Sequence, residues 1–318
     1  MNVALPQDPP RYGYRHEAFF YAGDDEFLAR VVPFLRDAVA ADEPTLVALC
    51  PEKLELVRGA LGGAVGARQL VDMEEVGTNP ARIVPAWRDF LGRYAADGWP
   101  VRGIGEPIWA GRPADELVEW ERHEELLNLA LPGMPDFWLL CPYDVTALPT
   151  EVLEEARRNH AVVGDGGGSR ASHQFHRRTD LGVPFDRPLP APPASATELP
   201  VARSSLREIR RSVAVEAVDA GMQPDRVADL VLAVNELTTS SVRHSGGTGT
   251  LRMWLERDAL VCDIRDPGQI DDPPSGRVET SPDAIGGRGL WMANQLCELV
   301  QIRSFADGVA VRVHKRLR

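Results

Sequence analysis

Three short stretches toward the C-terminal end carry side chains that could handle a nucleotide. They are Asn235-Glu236-Leu237 through His244 in a helical pattern, Asp266-Pro267-Gly268 at the end of a strand-like run, and Gly286-Gly287-Arg288-Gly289-Leu290 before a helical run. A buried Asp at a strand end can accept a hydrogen bond from the exocyclic amine of adenine, and Gly268 would let the base approach the backbone closely. Glycines 286, 287 and 289 allow a tight turn, after which the free N–H groups of the next helix can hold phosphate oxygens. Glu236 could orient or deprotonate an attacking hydroxyl or water, and Arg288 could neutralise a terminal phosphate. Singly, each has a blander reading: Asp-Pro-Gly is usually a turn, a Gly-rich helix start is often structural, and a lone helical Glu is most often solvated. In this order and on these elements, ATP binding is the better account.

The first half offers a second, looser set. His16 heads the first strand-like run, Glu106 closes the fourth and Asp144 the fifth. Ligands of open α/β sheets usually bind at the carboxyl ends of strands, where Glu106 and Asp144 fall. A metal set of His16, Cys50, Cys141 and His160 has no compact ligand spacing. Cys50 and Cys141 read instead as small core residues, and His160 as a helix-end interaction. No Gly-x-Gly-x-x-Gly follows the first strand and no Gly-Lys-Ser/Thr is present, so a Rossmann or P-loop site is unsupported.

The elements that must position these groups fall into two modules. The 318 residues are enough for two domains. In the first, EAFFYA (17–22), TLVALC (45–50), RQLVDM (68–73), VRGIGEPI (101–108) and DFWLLCPYD (136–144) alternate with helical patterns, predicting a mostly parallel sheet covered on both faces. Residues 164–197 are rich in Gly, Pro and Ser and read as a linker. The second module opens with two helical patterns (201–221 and 224–246). A hairpin follows (250–256 and 259–266), then a polar loop, a helix from Leu290, and a last hairpin. It predicts helices on one face of a largely antiparallel sheet.

The net charge of -12 (47 Asp+Glu, 35 Lys+Arg) argues against a dedicated nucleic-acid binder. It is unevenly shared. Residues 1–195 hold 30 acids and 19 bases, a net of -11, and residues 196–318 hold 17 and 16, a net of -1. Four Cys are too few for a disulfide scaffold. No apolar run is long enough for a membrane span, and the start MNVALPQDPP is no signal peptide. A cytoplasmic location is expected.

Residues 196–318 resemble the GHKL ATPase superfamily, closest to its RsbW-like serine kinase and anti-sigma factor branch. Glu236-Leu237-Thr238-Thr239-Ser240-Ser241-Val242-Arg243-His244 aligns with the family's Glu-Leu-x-x-Asn-Ala-x-x-His helix. Asp266 and Gly268 align with its adenine-binding Asp-x-Gly, Gly287 to Leu290 with its glycine motif, and Asp271 to Ile285 with its lid. The resemblance implies a Bergerat α/β sandwich that binds ATP and Mg²⁺, with Glu236 as the catalytic base. It also implies a sigma factor or a STAS-type anti-anti-sigma protein as partner, phosphorylation of a partner serine, and pairing into a homodimer. Ser240 departs from the pattern, because the family places its magnesium-coordinating Asn there. A Ser hydroxyl is shorter and reaches the ion only through water or a helix shift. The alternative is a catalytically degenerate module that only binds a regulator. No helical pair with a phospho-acceptor His precedes the ATPase stretch, so His autophosphorylation is not expected.

Residues 14–163 resemble the MEDS sensory domain. The matching pieces are His16 with FFYAGDDEFL, Gly105-Glu106 with Ile108-Trp109, Trp120-Glu121 with Leu126-Leu127-Asn128, and Leu140-Cys141-Pro142-Tyr143-Asp144 with His160. This implies a three-layer, parallel-sheet, RecA-like domain without a phosphate loop, sensing a small molecule of undefined identity. The expected organisation is a sensor over 1–163, a linker over 164–197 and an ATPase-type output domain over 198–318. Glu106, Asp144 and His16 are the candidate residues for the sensed ligand.

Overall fold

The computed structural model describes residues 13–62, 69–95, 98–110, 112, 114–131, 136–165, 167–176, 188–246, 248–270, 275–279 and 287–318. The chain divides into two compact units, Met1–Thr179 and Asp180–Arg318.

In the first unit, seven strands form one sheet: β1 (Tyr14–Tyr21), β2 (Thr45–Leu49), β3 (Gln69–Asp72), β4 (Val101–Gly105), β5 (Phe137–Asp144), β6 (Val162–Asp165) and β7 (Gly168–Ala171). Their order is β3-β2-β4-β5-β1-β6-β7. The first six run parallel and β7 returns antiparallel to β6. The connecting helices are α1 (Gly23–Ala40), α2 (Pro51–Leu61), α3 (Met73–Val76), α4 (Ile83–Ala95), α5 (Ala114–Ala130) and α6 (Thr150–Asn159). Local chemistry sets their starts. Pro51 opens α2, and Asp24, Asp25 and Glu26 crowd the first turn of α1, where Glu26 accepts the Ala22 N–H at 2.8 Å.

Period-two alternation gives the sheet two covered faces. Phe19, Tyr21, Val47, Leu49, Ile104 and Leu140 pack with α1 and α2. The opposite face receives Trp87 from α4, whose ring lies 5.4 Å from that of Phe137. Gly103 makes room for that ring, since a Cβ there would sit 2.7 Å from two of its carbons. Buried Glu17 on β1 accepts hydrogen bonds from Arg15, Arg30, Trp138 and Ser169. The Ser169 bond, at 2.6 Å, secures β7 to the sheet. Residues 164–165 and 168–171, expected within the linker, therefore belong to the paired strands β6 and β7. Gly-rich sequence did not preclude strand there because β7 is a short edge strand. Residues 177–187 of the expected linker lie outside the described residues.

In the second unit, β8 (Thr197–Val201), β9 (Gly249–Glu256), β10 (Ala259–Asp266), β11 (Leu299–Phe305) and β12 (Gly308–Arg316) form a sheet ordered β11-β12-β10-β9-β8. Every pair is antiparallel. Helices α7 (Leu206–Asp219), α8 (Pro224–His244) and α9 (Arg288–Leu296) cover one face. There Leu260, Cys262 and Ile264 of β10 meet Ile209, Leu230, Val234 and Ala293. On the other face the fully buried Asp263 accepts from Arg312 at 2.7 and 2.9 Å and from Arg265 at 2.8 Å. The helical pattern expected from 201 starts later, at Leu206, because residues 197–201 pair with β9. Among the described residues no helix is long and apolar enough to cross a membrane.

Gly103→Ala should push a methyl into the Trp87 ring and destabilise the first unit by about 1–3 kcal/mol. Urea denaturation followed by Trp fluorescence reads this directly.

Candidate functional site

The second unit holds a cavity of about 370 Å³, within the range of small-molecule pockets. Helical periodicity lays Leu237, Ser240, Ser241 and His244 of α8 along one wall. The end of β10 supplies Ile264 and Asp266, the turn after it Gly268, Gln269 and Ile270, and β12 contributes Val309 and Val311. Gly287 and Leu290 close the cavity at the start of α9.

Asp266 is the polar anchor of this wall. Its Oδ2 accepts from Ser241 Oγ at 2.5 Å, and its Oδ1 accepts from Ser245 Oγ and from the Gly268 N–H at 2.7 Å. A carboxylate offers about four acceptor positions, so one remains for a further donor. A Cβ at 268 would stand 2.5 Å from Ser245 Oγ and 2.7 Å from Asp266 Oδ1. Only glycine leaves this arrangement open. Ser241 and Ser245 were not singled out in the sequence. Their i and i+4 spacing on a helix ending beside a strand-terminal Asp is the signal that could have found them.

Gly287 caps α9 in the left-handed region, at φ 79°. That conformation, open to glycine, turns the chain into the helix. The cavity thus brings together Ser240, Asp266, Gly268, Gly287 and Leu290. Glu236, Arg288 and Gly289 lie outside its lining. Arg288 is exposed, and Gly289 packs on the Glu236 backbone, where a Cβ would meet the Glu236 carbonyl oxygen at 3.2 Å. Asn235 accepts from Arg210 at 2.9 Å and donates to Glu236 at 3.4 Å. Gly286 and residues 271–274 and 280–285 of the expected lid lie outside the described residues. Within the lid, Ser275 lines the cavity and the Gly276 carbonyl accepts from Asn294 at 2.8 Å.

The structure separates the three sensory candidates. Glu106 is buried, ion-paired with Lys53, and accepts the Cys50 N–H at 3.4 Å. Lys53 also donates to the Tyr21 hydroxyl. Burial raises the Glu106 carboxyl despite the opposing lysine, and burial with the Glu106 charge pushes the Cys50 thiol up to about 12. Cys50 is therefore an unreactive thiol beside this pair, not a partner of His16. Asp144 ends β5 and accepts from the Thr146 N–H at 2.9 Å and hydroxyl at 2.7 Å, fixing the turn that follows. His16 faces away from both, on the sheet face toward α5. Its Nε2 lies 3.4 Å from Cys141 Sγ and 3.2 Å from a Glu124 oxygen. His160 ends α6, as expected of a helix-end residue, with Nδ1 2.8 Å from the Ala156 carbonyl. Burial and the facing His16 hold its imidazole well below the usual pKa, in the neutral form.

Residues 15–161 match the family described as the MEthanogen/methylotroph, DcmR Sensory domain (MEDS). Residues 199–315 match the histidine kinase-like ATPase domain. No curated protein matches the chain. Among solved structures, the chain is similar to the crystal structure of the RsbU and RsbW domains of a Mycobacterium tuberculosis protein, at 17% identity and a TM-score of 0.30. That similarity covers 66% of this chain and 49% of the other, so the chain spans about half of that structure's length. The chain carries a MEDS sensory domain fused to a GHKL-type ATPase domain.

Lys53→Met should leave the Glu106 carboxylate buried without its cation and cost about 3–5 kcal/mol, whereas Lys53→Met with Glu106→Leu should recover most of the loss. Denaturant titration of the two variants checks the sign and the rescue.

Proposed function

We propose that this chain is a ligand-responsive regulator whose C-terminal domain binds ATP in the α8–β10–α9 cavity. In this reading the nucleotide-bound domain holds a sigma factor or a STAS-type anti-anti-sigma protein, under control of the N-terminal sensor. The observation that carries the nucleotide reading is Asp266. It is a carboxylate fixed by two hydroxyls and a backbone N–H, with acceptor capacity left and a glycine beside it where a side chain would fill the space.

The residues fit the adenosine part of ATP. Asp266 accepts the exocyclic amine, Gly268 gives the ring its approach, and Leu237, Ile264 and Leu290 supply apolar wall. The α9 N-terminus offers N–H donors and a favourable dipole to phosphate oxygens. Bound ATP would supply a transferable phosphoryl group.

The fit to magnesium is poorer. At the helix position where the resemblance places an Asn ligand, the cavity presents the Ser240 hydroxyl. It lacks the amide carbonyl that a hard cation needs at that reach. The one carboxylate among the cavity's described lining residues, Asp266, is already engaged by three donors. This favours a module that binds nucleotide and partner while transferring phosphate slowly or not at all. Phosphorylation of a partner serine, with Glu236 as base and Arg288 on the terminal phosphate, is the second reading.

Titration of the full chain with ATP should give saturable binding, and Asp266→Asn should weaken it about 10- to 150-fold, the equivalent of one hydrogen bond to a charged group. Absence of saturable binding in the wild type would remove the nucleotide reading. With labelled ATP, Mg²⁺ and a STAS-type partner, wild-type labelling should be weak and Ser240→Asn should raise it. Robust Mg²⁺-dependent labelling by the wild type would establish the kinase reading instead.

A further inference from the structure

The strongest unassigned feature is a buried cluster in the sensory domain, independent of the nucleotide reading. His16 (β1), Glu124 (α5), Cys141 (β5) and His160 (end of α6) each offer one ligand atom, and these atoms all lie within 4.8 Å of one another. All four residues are buried. Sequence spacing concealed the set because its members come from four elements over 145 positions. The sheet assembles them: β1 and β5 are parallel neighbours, with His16 opposite Leu139 and Ala18 opposite Cys141. That two-residue offset puts His16 and Cys141 on one sheet face. The candidate set with Cys50 is corrected here, because Cys50 stands beside Glu106 and Glu124 takes the fourth place.

The hydrogen-bonding of the cluster is incomplete without a cation. Asn128 Nδ2 donates to the Asn159 and Glu124 carbonyls at 2.7 and 3.3 Å, so its Oδ1, 3.1 Å from His16 Nδ1, is an acceptor. His16 Nδ1 therefore carries the ring proton. The Ala156 carbonyl fixes the same tautomer in His160. Both Nε2 lone pairs then face the centre, where a Glu124 oxygen lies 3.2 Å from one and 3.3 Å from the other. Neither Glu124 oxygen has a hydrogen bond, and neither has His160 Nε2. Two lone-pair nitrogens and a carboxylate thus share a buried space with one thiol hydrogen.

The separations suit a bound ion. With metal–ligand bonds of about 2.0–2.3 Å, tetrahedral ligand atoms stand about 3.3–3.6 Å apart. Three of the six separations, at 3.2, 3.3 and 3.4 Å, lie close to that range, and the others stay within 4.8 Å. Two imidazoles, a thiolate and a carboxylate suit a borderline divalent ion of the zinc class, whereas calcium and magnesium require mostly oxygen. A dication also balances the thiolate and carboxylate charges, so no net charge is buried. Asn128 and the Ala156 carbonyl provide the outer hydrogen bonds that orient ligating imidazoles.

We propose that His16, Glu124, Cys141 and His160 form a tetrahedral zinc-type site that clamps β1, β5, α5 and the end of α6 together. Four protein ligands leave no open position, so its role is structural.

The test uses the untagged full chain, stripped with a chelator and titrated with Co²⁺ as a spectroscopic stand-in. The expected result is one ion per chain, intense tetrahedral d–d bands and a thiolate charge-transfer band, with Zn²⁺ displacing the cobalt. Cys141→Ala should lose the charge-transfer band. Asn128→Leu should weaken affinity about 10- to 100-fold while leaving all four ligands in place. Because ligand variants could unfold, far-UV circular dichroism accompanies each, and the wild-type titration decides alone. Wild-type chain that takes up no stoichiometric Co²⁺ or Zn²⁺ overturns the proposal. So does a folded Cys141→Ala protein that retains the full cobalt spectrum.

Discussion

A carboxylate taken out of water has to find cations or hydrogen-bond donors inside the protein, or the fold carries an uncompensated charge. This chain buries carboxylates in both units, and the position of each explains much of what surrounds it. Glu17 gathers Arg15, Arg30, Trp138 and Ser169, and so brings the paired strands β6 and β7 onto the sheet. Asp263 draws Arg312 across from the neighbouring strand. These two are satisfied, and their role is to hold strands in register. Glu106 has its cation, but its pair with Lys53 lies where the fourth strand ends, in the zone where ligands of α/β sheets bind.

Two further carboxylates, the half-buried Asp266 and the buried Glu124, differ in a way that bears on function. Asp266 is held by Ser241, Ser245 and the Gly268 N–H, yet keeps room for another donor at the wall of a cavity. Glu124 touches two imidazole nitrogens without a hydrogen bond to either. A fixed acceptor with spare capacity suits a ligand that brings an N–H. A buried acceptor facing other acceptors suits a cation. The same electrostatic constraint therefore underlies both proposals, one in each domain.

Much of this architecture was readable from sequence. The strand and helix alternation of the first unit follows its hydrophobic runs and Pro51, and the hairpins of the second follow their period-two patterns. The glycine-bounded stretches proposed to meet a nucleotide stood out in the sequence because the members of each sit within a few residues of one another. What was not readable depended on non-local pairing. β7 and β8 lack a strong hydrophobic alternation of their own and exist because β6 and β9 offer them edges. Ser241 and Ser245 have no meaning until Asp266 arrives from a different element. Glu124 looks like one acid among several in a charged helix until the fold turns it toward His16, Cys141 and His160. Ser240 is the opposite case, a departure visible in sequence whose consequence rests on which other oxygens reach the cavity.

The central claim is that Asp266 reads the amine of adenine in the C-terminal cavity. Comparing ATP with inosine triphosphate, which carries a carbonyl where adenine carries the amine, tests it with the native protein. The account predicts that ATP binds the full chain at least about tenfold more tightly, the equivalent of one hydrogen bond, and that Asp266→Asn abolishes the preference. Equal affinity of the wild-type chain for the two nucleotides would contradict it.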